Sequence, residues 1–436
     1  MLRAGRTHFF RYEESWAHSR HARALSLSLP LTADLELRGP QVQHYFDNLL
    51  PDSAQIRSRI RARFNTPSVE AFDLLTAIGR DCVGAVQLLP PDEEPAGWNS
   101  VNATPLSRKE VESILLDVTV TKPLGRDEEA DFRISLAGTQ EKTALLGMAG
   151  SWFRPRGATP TTHILKLPLG IVGGFRGDLA DSVENEWLCA EFLRELNLPV
   201  AQSAIERFGE QRALVVTRFD RRWIGPREGD VERKRFKPGK GTWIARVPQE
   251  DFCQATGRPQ TQKYQADGGP SIAEGLELLA NSVDANTART NFALAQLAFW
   301  LLAAIDGHGK NFSIFHRVGG SYEATPLYDV LSAWPIIGHG KNQLAFEKAK
   351  LAMALHGRRA HYRLNEITAR HWRELAARTA IARLWERMQS LVASAEPALK
   401  RLEKRLPKMF PEPVFLRIRD GVLQQAGRFV REVREA

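Results

Sequence analysis

The sequence predicts an α+β protein: a small α/β lobe, then a larger and mainly helical lobe, with an extra α/β subdomain at the N-terminus. Three observations lead there. Strand-like runs alternate around one helix between about 126 and 247, and from 248 onward apolar residues recur at helical spacing. The N-terminal part carries strands and helices of its own, closed off by a stretch rich in Pro, Gly and acids. A chain of 436 residues exceeds what one core serves, so two or three domains are expected, read as 1–125, 126–247 and 248–436.

In the first segment, "ALSLSLPL" (24–31) alternates apolar and polar residues like a half-buried strand. "VQHYFDNLLP" and "EAFDLLTAIG" read as helices, "CVGAVQLLP" as a closing strand, and "PPDEEPAGWNSVNATP" (90–105) as a linker. In the second, "FRISLAGTQEKTALL" (132–146), "THILKLPL" (162–169), "AIERF" and "ALVVTRF" are strand-like, around the helix "ENEWLCAEFLRELN" (184–197). The basic insert "RRWIGPREGDVERKRFKPGKGTW" (221–243) reads as a solvated hairpin or loop, or as a contact for phosphate or an acidic partner. The third segment is helical through "PSIAEGLELLANS", "TNFALAQLAFWLLAAI" and "ARTAIARLWERMQSLVASAEPALKRLEKRL".

With 43% hydrophobic and 25% charged residues the composition is that of an ordinary globular protein. The balance of 60 Lys+Arg against 51 Asp+Glu gives +9, a mild preference for acidic partners such as nucleotides or nucleic acid. Cys82, Cys189 and Cys253 lie far apart, which argues for a reducing compartment and against a disulfide framework or zinc site. The longest apolar run (292–305) is interrupted by Gln296 and falls short of the roughly 18–20 residues of a spanning helix. No apolar signal segment opens the chain, so a cytoplasmic protein without membrane partners is expected.

Phosphoryl transfer needs an acid to orient the attacking hydroxyl, ligands for Mg²⁺, a cation on the nucleotide phosphates and backbone to cradle them. The chain supplies these parts in kinase order. In "DGHGKN", Asp306 is followed five residues later by Asn311, the spacing of acid and metal-binding amide in kinase catalytic loops. Asp329 follows "FSIF" and "YEATPLY", two strand-like runs able to form a hairpin that returns it beside Asn311 as a second hard oxygen ligand. Read singly, Asp306-Gly307 is also an ordinary helix-ending turn, and Asp329 a capping residue.

Lys166, inside an otherwise apolar strand, is either a phosphate-holding lysine or a snorkelling edge residue. At about 100° per residue, Glu186 lies at the edge of the apolar stripe of helix 184–197, making it the preferred partner for Lys166. Glu184, Glu191 and Glu195 project to the opposite, solvated face. The loop "SLAGTQEKT" (135–143) offers small residues and backbone N–H groups beside Ser135, Thr139 and Lys142, although Gly138 is its one glycine. His308 orients the loop, contacts a phosphate or is purely structural.

These residues, together with "VENEWLCAEFLRELNL", "RFDRRW", "PQEDFCQATG", "KYQADGGPSI" and "PLYDVLSAWP" in the same order, make the chain resemble the HipA family of toxin-type bacterial serine/threonine kinases. The resemblance implies a protein-kinase-like two-lobed fold with a family-specific N-terminal subdomain, and ATP and Mg²⁺ as cofactors. It implies Asp306 as proton acceptor, Asn311 and Asp329 as Mg²⁺ ligands, and Lys166 on the nucleotide phosphates. Ala137, Gly138, Thr139, Gln140, Glu141 and Lys142 would face the phosphates. Thr217, Arg218 and Phe219 would form the hinge for adenine, with Asp220 near the ribose. His308, Gly309, Lys310 and Tyr328 would line the pocket.

Ser135 would be autophosphorylated, and a phosphate of about −2 charge there would repel ATP. The resemblance further implies a HipB-like DNA-binding antitoxin, operator DNA through that complex, and a protein substrate such as glutamyl-tRNA synthetase. The basic "HGRRAHYR" (356–363) aligns with a DNA-contacting segment, or is a solvated loop. Family members commonly open with a strand pair ahead of "HFFRYEESW", which is expected to be missing here. Other readings are a DNA-bound corepressor with little catalysis, and a small-molecule or lipid kinase on the same scaffold.

Overall fold

The computed structural model describes residues 2–435 apart from 5, 6, 91, 92, 94, 95, 119–134, 139, 174, 175, 228 and 234. Thr139, the start of the strand-like run at 132–134 and the boundary at 125/126 lie outside the described residues. The chain forms two compact units assembled from interleaved segments. The first is Met1–Leu167, Ser203–Gln260 and Phe315–Gly320; the second is Pro168–Gln202, Thr261–Ile314 and Ser321–Ala436.

The first unit opens with an antiparallel sheet of Leu2–Ala4, Thr7–Arg11 and Glu36–Arg38. Helix Pro40–Asp47 starts with Pro at its first position, where a missing N–H costs nothing. It packs Val42, Tyr45 and Phe46 with Leu74, Leu75 and Ile78 of helix Ala71–Ile78, under Phe10 and Leu37 of the sheet. Between them runs the unexpected helix Ala54–Phe64, capped by Ser53, whose hydroxyl accepts the Ile56 N–H at 3.3 Å. Its high arginine content hid it from an apolar-periodicity reading.

Two expected strands are absent. Residues 24–31 form a turn closed by a bridge between Ser26 and Leu29. The alternating serines are satisfied locally and by one carbonyl, with Ser28 Oγ donating to Gln254 C=O at 2.6 Å. Residues 82–90 are irregular because backbone groups of Cys82 and Gly84 bond to arginine side chains and to Asp220 instead of a ladder.

The main sheet of this unit has six antiparallel strands in the order Ser203–Phe208, Gln211–Thr217, His163–Lys166, Lys142–Met148, Ser151–Pro155 and Ala103–Leu106. The supposed linker thus ends as an edge strand. Helix Arg108–Val118 buries Val111 and Leu115 on the sheet against Leu145, Leu165 and Val215. The basic insert does form a hairpin, Arg221–Ile224 with Trp243–Arg246. Its first residue is not solvated, because the Arg221 side chain is 1% exposed.

The second unit is mainly helical. Helix Ile272–Ala280 begins with a capping box between Ser271 and Glu274. Helix Ala285–Leu302 is nucleated by Asp284, whose carboxylate accepts the Thr287 N–H at 3.2 Å. Its last turns, including Phe299, Trp300, Leu301 and Leu302, are entirely buried, each large side chain stabilising by about 1.5–3 kcal/mol. Helices Ala369–Arg378, Leu384–Glu403 and Glu412–Arg434 complete the bundle. Among the described residues no helix is long and apolar enough to cross a membrane, and the three cysteines are buried and unbridged.

Candidate active site

In the second unit the apolar helix stops at Leu302, three residues earlier than its apolar run, because Ala303 turns left-handed at φ 48°. The Ala304 N–H then bonds back to Phe299 C=O at 2.8 Å, closing the helix as a glycine C-cap would. The chain continues into Asp306 and Gly307. Gly307 lies against the Phe299 ring so closely that a Cβ would come within 2.5 Å of it, so any larger residue must displace the ring or the loop. A 3₁₀ turn, Gly309–Asn311, follows, buried and held by Gly309 N–H to Lys263 C=O at 3.0 Å.

Asp306 remains exposed on 52% of its side chain and accepts a hydrogen bond from the Tyr264 hydroxyl. Asn311 is buried, and its Nδ2 donates to the carbonyls of Asp306 at 2.9 Å and Asp329 at 3.2 Å. Both amide hydrogens therefore fix backbone, which turns the amide oxygen into the atom available as a ligand. Asp329 itself is left-handed, with φ 61°. A non-glycine residue rarely adopts this conformation, and it persists where surroundings overdetermine it.

Those surroundings are visible. Upstream of Asp329, Leu327 pairs with strand-like 199–201, donating to Pro199 C=O at 2.8 Å and accepting from Ala201 N–H at 2.9 Å. Downstream, the Asn185 amide bonds both backbone groups of Ser332, at 2.8 and 2.9 Å. Ser332 Oγ donates to Leu302 C=O at 2.6 Å, and Trp334 Nε1 to Leu301 C=O at 2.9 Å. The expected hairpin forms, Ser313 C=O taking the Thr325 N–H at 3.0 Å. It returns Asp329 beside Asn311. Tyr328 reaches back to Lys310 C=O at 2.8 Å and Ser313 Oγ at 2.5 Å, and His308 sits buried edge-on to Tyr264.

Tyr264, Asn185, Ser332 and Phe299 were not singled out from the sequence. Tyr264 lies inside the quoted "KYQADGGPSI", and Asn185 directly precedes Glu186, but neither stretch marks a role by spacing. Glu184 corrects the helical projection: it is 4% exposed, as is Glu186, because the first turn of helix Ser182–Glu195 is enclosed on all sides. Nor are the other two free in solvent: Glu195, 18% exposed, pairs with Arg401 and Arg405, and Glu191, 17% exposed, with Arg194.

In the first unit, Lys166 ends strand His163–Lys166, buried, with Lys142 directly opposite on the neighbouring strand. The Lys142 ammonium occupies the space over Gly138, 2.6 Å from where a Cβ would stand. Two lysines on one face of the sheet and a side-chain-free residue beside them make a surface that fits phosphate. Gln140 Nε2 donates to Leu167 C=O at 2.6 Å, and Glu141 pairs with Arg59. Ser135 is fully buried, its Oγ donating to Leu49 C=O at 2.8 Å and its N–H to Asp81 C=O at 3.3 Å.

Thr217 closes its strand, and the Arg218 N–H bonds to Thr162 C=O at 2.9 Å. The side chains of Arg218 and Asp220 enter a buried ion cluster with Asp81, Arg221 and Arg246. Both Asp220 oxygens are engaged there, so its carboxylate is committed to fixing the backbone around Arg218 and Gly84. Burial alone would raise the Asp81 and Asp220 pKa values, but the surrounding guanidinium groups leave both well below the usual carboxylate range. Burial beside Arg218 lowers Arg221 to about 10.

The amide oxygen of Asn311 and the carboxylate of Asp329 are hard donors of the kind Mg²⁺ takes. Among the described residues no cluster of three or more His, Cys, Asp or Glu side chains forms a closed metal cage. This donor set fits Mg²⁺, which binds through one or two protein groups plus substrate phosphates.

Comparison with known proteins adds independent findings. A family model for the HipA N-terminal domain matches residues 1–89, and one for the HipA-like C-terminal domain matches 134–402. The Sinorhizobium fredii protein Y4mE is 33% identical over 402 residues, covering 90% of this chain and 86% of its own. The serine/threonine-protein kinase toxin HipA of Shewanella oneidensis is 28% identical, over 74% of this chain and 69% of its own. A solved complex of Shewanella oneidensis HipA, HipB and operator DNA contains a chain of the same fold, with TM-score 0.75 at 23% identity, covering 98% of this chain and 94% of that one.

Proposed function

The chain belongs to the HipA family of serine/threonine-protein kinases, and we propose that it transfers the terminal phosphoryl group of ATP to a cellular protein as the toxin of a toxin–antitoxin pair. The observation that carries this reading is Asn311, whose Nδ2 ties the backbones of Asp306 and Asp329 while its oxygen is left to ligate. In this reading Asp306 accepts the proton of the attacking hydroxyl, its carboxylate oriented by the Tyr264 hydroxyl. Asn311 and Asp329 hold Mg²⁺, which when bound would neutralise the charge developing on the phosphates. Lys166 and Lys142 hold those phosphates, with Gly138 letting them approach the backbone.

Thr217, Arg218 and Phe219 receive adenine through backbone groups. Ala137, Thr139, Gln140 and Glu141 complete the phosphate loop; His308, Gly309, Lys310 and Tyr328 line the pocket. Phosphorylated Ser135 would have to leave its buried place below the loop, removing the phosphate cradle. A HipB-like antitoxin is the proposed partner, with operator DNA bound through that complex, and glutamyl-tRNA synthetase the first substrate to try. Arg358 and Arg359, exposed at a hairpin tip, are available for the DNA.

The test measures ³²P incorporation from labelled ATP into bacterial lysate and into purified glutamyl-tRNA synthetase. Wild type should label discrete protein bands, and Asp306→Asn should reduce labelling by about 10²–10⁴-fold. Unchanged labelling in Asp306→Asn would discard the mechanism. Labelled metabolites without protein bands would replace it with a small-molecule kinase.

A further inference from the structure

We infer that Asp81 is a positioning residue for the nucleotide-binding hinge, holding residues 217–219 through a buried ion cluster without touching the nucleotide. This rests on the hinge reading above. Asp81 belongs to the N-terminal 1–89 region, whereas the hinge belongs to the 134–402 region. Every contact in the cluster lies within the first compact unit.

The cluster is built around the Asp81 carboxylate. One oxygen accepts from Arg221 at 2.9 Å and Arg246 at 3.3 Å; the other accepts from the Thr161 N–H at 3.0 Å, its hydroxyl at 2.6 Å and Arg218 at 3.3 Å. Arg218 is also held by Asp220 at 2.8 and 3.0 Å and by Cys82 C=O at 2.9 Å. Three guanidinium groups face two carboxylates. The surplus positive charge falls on carbonyls of the same short segment, with Arg221 reaching Cys82 at 2.7 Å and Gly84 at 2.8 Å. Gly84 N–H closes the ring by donating to Asp220 at 2.7 Å.

A surface ion pair would position nothing, since water competes with it. Here the Arg218, Arg221 and Asp220 side chains are between 1% and 6% exposed, so any rearrangement strands a charge out of water. The path of residues 81–84 is equally fixed. Gly84 has φ +71°, and a Cβ there would lie 2.7 Å from Gln249 C=O. Arg218 therefore has one place to put its side chain, and its N–H stays on Thr162, in the strand register that also carries Lys166. Asp81 further accepts the Ser135 N–H through its own carbonyl, so one residue ties both the hinge and the candidate modification site.

The experiment uses the full chain with Asp81→Asn, which keeps the shape and removes the charge. Dissociation constants for a fluorescent ATP analogue, KM for ATP and kcat are measured, with hydrogen exchange of the 217–219 amides. The expected result is about a ten- to hundredfold rise in dissociation constant and KM, a much smaller change in kcat, and faster hinge exchange. Asp81→Glu should recover most of the affinity. A merely structural role predicts a lower melting temperature with wild-type affinity in the folded protein. If Asp81→Asn does not fold, Arg246→Gln removes the peripheral cation and is read in the same way. Folded Asp81→Asn or Arg246→Gln with wild-type affinity and hinge protection would overturn the inference. Faster hinge exchange in a protein whose wild type binds no ATP analogue would sink the kinase reading and leave the coupling of Asp81 to the hinge standing.

Discussion

Asp306 and Asp81 each follow a helix end by a few residues, yet the fold treats them oppositely. Asp306 keeps 52% of its side chain in water, with one tyrosine hydroxyl on it. Asp81 keeps 8% and is wrapped by three arginines and a threonine. An acid that must exchange a proton with a substrate needs an open side. One that organises backbone needs closure and cations. The difference teaches that residue type and local context do not separate an aspartate left open to solvent from an architectural one. What separates them is the number of donors brought in by remote segments.

The sharpest way to break this comparison is to neutralise one acid of each kind and follow thermal unfolding. Asp220→Asn, which leaves buried guanidinium groups uncompensated, should destabilise by about 3–5 kcal/mol. Asp306→Asn should leave the melting temperature nearly unchanged, as surface substitutions do. Equal losses in the two variants would show that the 306–311 loop is also held together by its charge.

A pH titration sharpens the closed side of the comparison. His163, packed edge-on to Trp152 and against Gly147, is lowered by burial to about 4 from 6.5. Since the unfolded chain binds the proton more readily, stability is complete above about pH 6.5 and falls as pH drops towards 4, by about 3 kcal/mol. His163→Phe should flatten that part of the profile. A wild-type profile flat between pH 6.5 and 4 would contradict the buried neutral imidazole.

On the open side, Gly307→Ala forces a methyl group onto the Phe299 ring. Overpacking there should cost about 1–3 kcal/mol and lower kcat by displacing Asp306; an unaltered kcat would mean that the loop adjusts freely. The smallest effect belongs to the surface. Glu195→Ala removes the pairing with Arg401 and Arg405, both more than half exposed. It should change stability by less than about 1 kcal/mol, and a larger loss would assign that pair a structural role.

The candidate site was proposed from the sequence because phosphoryl transfer demands particular residue types in a fixed order. Lys166, Asp306, Asn311 and Asp329 stand at those positions, and the hairpin between Asn311 and Asp329 followed from two short apolar runs. The irregular parts were not legible. The serines of 24–31 alternate like a strand but bond within a turn and to Gln254. The arginine-rich helix Ala54–Phe64 carries too few apolar residues to show its period. Glu184 was projected to solvent by a helical wheel that cannot see what encloses the first turn.

By itself the sequence determined the α+β class, the helical stripes and the order of the chemically special residues, because these depend on neighbours within a few positions. Tertiary structure decided which charges live in water. Arg218 meets Asp81 across 137 residues of chain, and Arg221 does so across 140. Desolvation is set by such distant segments, and no local pattern records it. The same holds for Asn311, whose amide is oriented by a carbonyl 18 residues away. Spacing singled out Asn311, and packing aimed its oxygen.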